Sequence, residues 1–291
     1  MNAAPYFGVI DIGNSGIKAS LAETATRRLT GSVRSIHWRM LNDHHKSPPV
    51  EFQTSDSSWA SIEDSNAIGQ MLDFLISSKP FREAPCFWQV SSVQPTALAT
   101  LTKSLSTRSS KNNHRVIGFR DIPMNLDIEA PESVGIDRLL AAWGAWQSSS
   151  KKKPLMVIQA GTAVTVDWVN EQGTYCGGAI MPGMSLTLKY LALGTAHLPW
   201  LAPPKDPNLL SIPGKNTREA ILAGVTASFV GGIEQLQRRY RQQHSGDPNS
   251  IETVVSGGDG LSLSQAITPP FKIIDHLVLN ALAGLGDHEE S

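Results

Sequence analysis

The stretch DIGNSGIKAS, residues 11–20, follows the apolar run Tyr6-Phe7-Gly8-Val9-Ile10. An apolar strand that ends in one carboxylate, turns through Gly-Asn-Ser-Gly and resumes as a second strand makes a hairpin. Its tip exposes backbone N–H groups and small polar side chains, with Lys18 close behind, a combination that suits a phosphate. An ordinary turn uses the same residues, so the stretch gains meaning only from the rest of the chain.

Half a chain later, LMVIQAGTAVTVDWV (155–169) again runs from an apolar strand through a Gly-Thr turn into a strand, and EQGTYCGGAIMPG (171–183) supplies a turn and a third strand. In the first half the third strand is SIHWRML (35–41), followed by a loop, DHHKSPPVEF (43–52). Ile68, Met71, Leu72 and Leu75 mark one face of a helix that stops at Pro80, with Ser65 as its N-cap. CFWQVSSV (86–93) reads as a strand, a helix starts at Pro95, and HRVIGF (114–119) is another strand. In the second half, helical patterns cover 184–193 and 217–240, a short strand precedes SGGDG (256–260), and a last helix lies near 276–285. The order strand, turn, strand, turn, strand, helix thus occurs twice, and Gly13 and Gly161 open equivalent turns. Two such domains with their hairpin tips facing one cleft would grip a nucleoside triphosphate from both sides.

Composition narrows the classes. The chain has 291 residues, 41% hydrophobic and 18% charged, enough for two ordinary domains. Its net charge of −1 leaves no global positive field to hold nucleic acid or an anionic membrane. Lys151-Lys152-Lys153, between Ser148-Ser149-Ser150 and Pro154, reads as a solvated linker. Cys86 and Cys176 are the only 2 cysteines, and their separation points to a reducing cytosol. No apolar stretch is long enough to span a bilayer, the N-terminus lacks a secretory pattern, and the 8 histidines form no zinc spacing.

Four segments could carry chemistry. A carboxylate beside phosphates is repelled unless a divalent cation stands between them, so Asp11 next to a phosphate loop implies Mg²⁺, with Lys18 neutralising further charge. In PESVGIDRLLAAWGAW (131–146) the apolar face of Ile136, Leu139, Leu140, Trp143 and Trp146 puts Gly135 and Asp137 at a helix start. Asp137 there is either a base for a substrate hydroxyl, with Arg138 beside it to hold an anion, or a first-turn acid that stabilises the helix. In GKNTREAILAGV (214–225), Asn216 or Thr217 is the N-cap, and a substrate contact by Thr217 would be additional. SGGDG could approach adenine or ribose with bare backbone, or simply turn.

The ordered set DIGNSGIK, SSV (91–93), PESVGIDR, QAGTAVTVD, GGAIMPG, TAHLP (195–199) and KNTREAILAG resembles type III pantothenate kinase, the Bvg accessory factor family, from about residue 6 to about residue 260. The resemblance implies an α/β fold of the acetate and sugar kinase and actin superfamily: two duplicated ribonuclease-H-like domains with the nucleotide in the cleft between them. The expected division is an N-terminal domain over 1–130, a connecting helix and linker over 131–153, and a C-terminal domain over 154–291. By resemblance, Asp11, Ile12, Gly13, Asn14, Ser15, Gly16, Ile17, Lys18 and Thr162 bind ATP. Gly135, Ile136, Asp137, Arg138 and Thr217 meet pantothenate, and Asp137 is the proton acceptor. The implied reaction moves the γ-phosphoryl of ATP to the primary hydroxyl of pantothenate, giving 4′-phosphopantothenate, the first step toward coenzyme A. Mg²⁺ would act with ATP at Asp11 through water, and K⁺ or NH₄⁺ would sit at position 159. A cytoplasmic homodimer that binds neither nucleic acid nor membrane is the implied setting.

Two departures stand out. Gln159 replaces the acid usual before the second Gly-Thr, which removes a negative charge from the monovalent-cation position. Ile128 and Ala130-Pro131 stand where the family often has Tyr and Asn-Pro. The alternatives these raise are a catalytically impaired or regulatory nucleotide-binding homologue, or a kinase of another small hydroxy acid.

Overall fold

The structure, a computed structural model, describes residues 6–38, 57–60, 63–77, 87–108, 113–151, 153–244 and 251–285. The expected loop at 43–52, the last residues of the 35–41 strand, Cys86, Lys152 and His44, His45 and His288 lie outside the described residues.

The first sheet has six strands: β1 (Tyr6–Gly13), β2 (Gly16–Glu23), β3 (Arg28–Trp38), β4 (Ser57–Ala60), β5 (Phe87–Ser92) and β6 (Asn113–Val116), ordered β4-β3-β2-β1-β5-β6. β1, β2 and β3 form an antiparallel meander, while β5 pairs parallel with β1 and β6 parallel with β5. Helices α1 (Ser65–Ser77) and α2 (Pro95–Arg108) supply the crossovers. Ile10 and Ile12 of β1, Ile17 and Ala19 of β2 and Val90 of β5 join Ile68, Leu72, Leu101 and Leu105 of the two helices in one core. α1 starts one residue away from the expected cap. Asp64 accepts from the backbone N–H of Asn66 and of Ala67, each at 3.0 Å, and Ser65 is already helical. A carboxylate at this point also meets the positive end of the helix dipole.

The second sheet contains β7 (Leu155–Ala160), β8 (Ala163–Val169), β9 (Tyr175–Pro182), β10 (Glu252–Ser256) and β11 (Lys272–Ile273), ordered β11-β10-β7-β8-β9. Its pattern repeats the first: β7, β8 and β9 are antiparallel, and β10 and β11 follow in parallel. α4 (Met184–Leu193), α5 (Thr217–His244) and α6 (Gly260–Ala266) belong to this half. Met184, Leu188, Ile221, Phe229, Ile233 and Leu263 from these helices pack on Met156, Ile158, Val164, Val166 and Trp168. The duplication read from the two glycine turns is therefore present in the strand order of both sheets.

Two helices depart from the linear division expected from the sequence. The chain forms two compact units, one of Met1–Pro123, Glu132–Leu140 and Val278–Ser291, the other of Met124–Pro131 and Ala141–Leu277. Helix α3 (Ile136–Gln147) begins in the first unit and ends in the second, and α7 (Leu277–Leu285) returns to the first. Boundaries at 130 and 153 miss both features. In α7, Leu277, Val278, Leu279, Ala281, Leu282, Ala283 and Leu285 are all buried, so no polar face indicates which sheet it covers.

Close packing fixes one glycine of β1. A Cβ on Gly8 would overlap the ring of Trp88, which is fully buried. Gly224, exposed on α5, faces open space. Gly8→Ala should cost about 3 kcal/mol or more through overpacking, while Gly224→Ala should add about 0.8 kcal/mol of helix propensity. Urea midpoints at constant m-value check both, and equal effects at the two sites would refute the packing argument.

Candidate active site

Strand alternation places Asp11, Lys18 and Ser91 on one face of the first sheet, opposite the α1/α2 core. Asp11 pairs with Lys18 across the hairpin and with Ser91 across the parallel ladder, and Ser35 pairs with Lys18 on the far side. Ser91 Oγ donates to Asp11 Oδ1 at 2.7 Å. Burial pushes the Asp11 carboxyl up to about 6 against the Ser91 hydrogen bond, and nearby Asp137 raises it further while Lys18 lowers it. Ile12 and Ile17, expected at the nucleotide, are fully buried in the core, so they can offer a ligand only backbone. Asn14 and Ser15 form the exposed tip.

That tip is held from β3. Trp38 N–H donates to Ser15 O at 2.9 Å, and Trp38 Nε1 donates to Gly13 O at 3.2 Å. Neither Asn14 nor Ser15 has positive φ, so the turn is not of the primed type that hairpins favour, and the two Trp38 bonds hold it in place. A Cβ on Gly16 would overlap Ile36 O, which explains glycine there by close backbone approach.

The second element of the site is the start of α3. Gly135 O accepts from Arg138 N at 3.0 Å, and Asp137 Oδ1 accepts from the same N–H at 2.9 Å. A Cβ on Gly135 would come within 2.5 Å of Asp137 Oδ1 and 3.7 Å of Val93 Cγ1. Val93 in turn donates its N–H to Ile12 O at 3.0 Å. Gly135 therefore leaves room for the Asp137 carboxylate beside the segment that closes β1 and β5. Asp11, Lys18, Gly135, Ile136, Asp137 and Arg138 all belong to the first unit. The arrangement sets two carboxylates close enough to interact, next to one lysine.

The remaining candidates, Gln159, Thr162 and Thr217, belong to the second unit. Gln159 takes the place in β7 that Asp11 takes in β1. It pairs with Ser256 as Asp11 does with Ser91, and with Thr165 as Asp11 does with Lys18. The whole rung is neutral. On the next rung the Asp167 carboxylate is fully buried and accepts from Tyr175 Oη at 2.8 Å. Thr162 lies in the turn between β7 and β8, where its carbonyl accepts from Gly183 N at 2.9 Å. The SGGDG turn folds back onto this end of β7, with Asp259 N donating to Ala160 O at 3.0 Å. Asn216, not Thr217, caps α5: its Oδ1 accepts from Glu219 N at 3.0 Å, and Glu219 Oε2 accepts from Lys215 N at 2.8 Å. Thr217 is exposed and lines an open pocket with Leu198, Lys215 and Ile221.

Sequence reasoning gave Ser91 and Trp38 no role, although the SSV segment and the third strand were both noted. Among the described residues no group of three or more His, Cys, Asp or Glu side chains could hold a metal. None of the described helices is long and apolar enough to cross a membrane.

Comparisons with known proteins bear on the family and the fold. The profile of the family described as type III pantothenate kinase matches residues 9–239. A type III pantothenate kinase of Rhodopirellula baltica is 38% identical over 179 residues, 60% of this chain and 62% of that protein. The chain thus spans less than two thirds of that relative, whereas the match to a type III pantothenate kinase of Brevibacillus brevis is 29% identical and covers 97% of this chain and 99% of the other. Among solved structures, a reductive activator for a corrinoid, iron-sulfur protein superposes with a TM-score of 0.51 at 11% identity, covering 99% of this chain and 61% of its own. That likeness concerns the fold alone.

The raised Asp11 carboxyl has a sign that can be measured. Its folded value lies above its ordinary 3.8, so between about pH 4 and pH 6 the folded protein binds more protons than the unfolded chain. Stability contributed by Asp11 is therefore lost as pH rises through that window. Melting curves of the ligand-free protein from pH 4 to 8 should show Asp11→Asn more stable than the parent at pH 7.5, with a flatter profile below pH 6. A variant less stable at pH 7.5 would contradict the desolvated carboxylate.

Proposed function

The chain belongs to the type III pantothenate kinase family, and from that premise we propose that it transfers the γ-phosphoryl of ATP to the primary hydroxyl of pantothenate. The observation that supports this reading most is the placement of Asp11, Lys18 and Asp137 in one unit, with Asp137 held by Gly135 and the Arg138 N–H. In the proposed reaction Asp137 orients the acceptor hydroxyl and takes its proton, while the Arg138 guanidinium holds the pantothenate carboxylate. Lys18 and the hairpin backbone receive the phosphates, and the Trp38 bonds keep that backbone in position before ATP arrives. Thr162 would meet ATP and Thr217 pantothenate. Asp11 fits Mg²⁺ as a desolvated carboxylate beside a second acid, and the ion would neutralise phosphate charge there when bound with ATP.

The residues around Gln159 fit a monovalent cation poorly. Its rung offers neutral oxygens from Gln159, Ser256 and Thr165, and the Asp167 carboxylate is committed to Tyr175. No step is assigned to K⁺ or NH₄⁺. Ile180, Tyr190 and Leu193 are 64%, 60% and 64% exposed on β9 and α4, apolar surface that supports a homodimer. The dependence on ATP supports a cytoplasmic setting.

A second acceptor is favoured by one observation. The 124–131 segment runs beside β9, with an Asp127 N–H bond to Tyr175 O at 2.9 Å, and it presents apolar Ile128 near Gly177. The deciding assay is phosphopantothenate formation with Mg-ATP, together with other small hydroxy acids as acceptors. Product from pantothenate is expected; ADP release with a different acid alone would replace this reading, and nucleotide binding without transfer to any acceptor would make the protein a regulatory homologue.

Asp137→Asn should lower kcat about 10²- to 10⁴-fold with ATP affinity retained, and unchanged turnover would remove Asp137 as the base. Replacing K⁺ by tetramethylammonium should alter turnover and the ATP dissociation constant less than twofold, and Gln159→Asp should introduce a K⁺ dependence of ATP binding. A strong K⁺ requirement in the parent would show that the neutral rung suffices for the ion.

A further inference from the structure

We infer that His37 is a nucleotide-binding residue that donates a hydrogen bond to an ATP phosphate lying over the glycine pair of the hairpin. The inference rests on the reading of the hairpin as the phosphate loop. β3 pairs with β2 so that Ser35 faces Lys18 and His37 faces Gly16, while Gly16 pairs with Gly13 across the turn. Alternation puts these residues on two successive rungs of the face that carries Asp11. One rung reads Ser91, Asp11, Lys18, Ser35; the next reads Gly13, Gly16, His37. The intervening Ile36 and Trp38 turn the other way, into the core, which confirms the side on which His37 stands.

The second rung is therefore bare on two strands and carries an imidazole on the third. With strands about 4.8 Å apart, a phosphate resting on the Gly13 and Gly16 backbone lies one strand from His37. The Trp38 bonds to Ser15 O and Gly13 O fix the residue adjacent to His37 against the tip, so the ring's origin moves with the loop. His37 is half-buried, and burial, then the nearby Lys18 charge, lower its affinity for a proton. A neutral imidazole still donates one N–H, and it adds selectivity for a phosphate without a second permanent charge.

The test compares His37→Ala, His37→Gln and Lys18→Met with the parent, using calorimetric titration of Mg-AMP-PNP and of pantothenate, with melting temperatures as a check on folding. His37→Ala should weaken Mg-AMP-PNP about 10- to 100-fold, the range for a hydrogen bond to a charged group. Pantothenate binding should stay within twofold, and His37→Gln, which keeps an N–H donor, should recover part of the loss. If Lys18→Met weakens the nucleotide while His37→Ala changes it less than twofold, the inference fails and the phosphate loop stands. If neither variant weakens it, both fail. Equal loss of nucleotide and pantothenate with a lowered melting temperature would make His37 a structural residue and overturn the inference.

Discussion

Two carboxylates on one face of one unit set the terms for the rest of the molecule. Asp11 sits on the antiparallel ladder of β1 and β2, Asp137 at the first turn of α3, and Asp137 raises the cost of ionising Asp11. Such a pair persists only where the backbone around it is over-determined. β1 is paired on both sides, Ser91 binds Asp11 from the parallel strand, and Gly135 clears space for Asp137. The apolar cores on the opposite face supply the stability against which this local repulsion is held.

The duplicated sheets show where the molecule placed its charge. Equivalent rungs read Ser91, Asp11, Lys18 in one sheet and Ser256, Gln159, Thr165 in the other. The hydroxyl survives in both copies, while the acid and the base of the first are replaced by neutral groups in the second. The second copy retains the glycine turn at Gly161, and the same unit carries the exposed Thr217 at the head of α5. The charged rung therefore belongs to the first unit and its neutral counterpart to the second.

Much of this was legible because it is local. The Asp11 to Lys18 hairpin, its echo at Gly161 and the helix start at Asp137 each depend on residues a few positions apart, where periodicity and turn chemistry speak directly. The Ser91 bond to Asp11, the Trp38 bonds to the turn and the Val93 bond to Ile12 O depend on strand register between distant segments. No periodicity reports a register. α7 was misplaced because seven of its nine residues are buried and only Asn280 is exposed, too narrow a polar face to assign the helix to a sheet. The cap of α1 was misread by one residue because Asp64 and Ser65 both have cap chemistry, and only the backbone shows which one precedes the first turn.

The acid pair also constrains what can arrive. Lys18 stands beside two carboxylates and Arg138 follows Asp137 in the chain, so the face holds no surplus of positive charge before any ligand binds. A bare polyphosphate would be repelled by the two carboxylates, and burial lowers the screening by water that would otherwise soften it. Protonating Asp11 relieves the strain only below about pH 6. On the proposed reading, the relief at neutral pH comes with the nucleotide, as a cation held by its phosphates. On the proposed reading the Gly13 and Gly16 backbone then offers dipoles beside the His37 imidazole, on a rung held by Trp38.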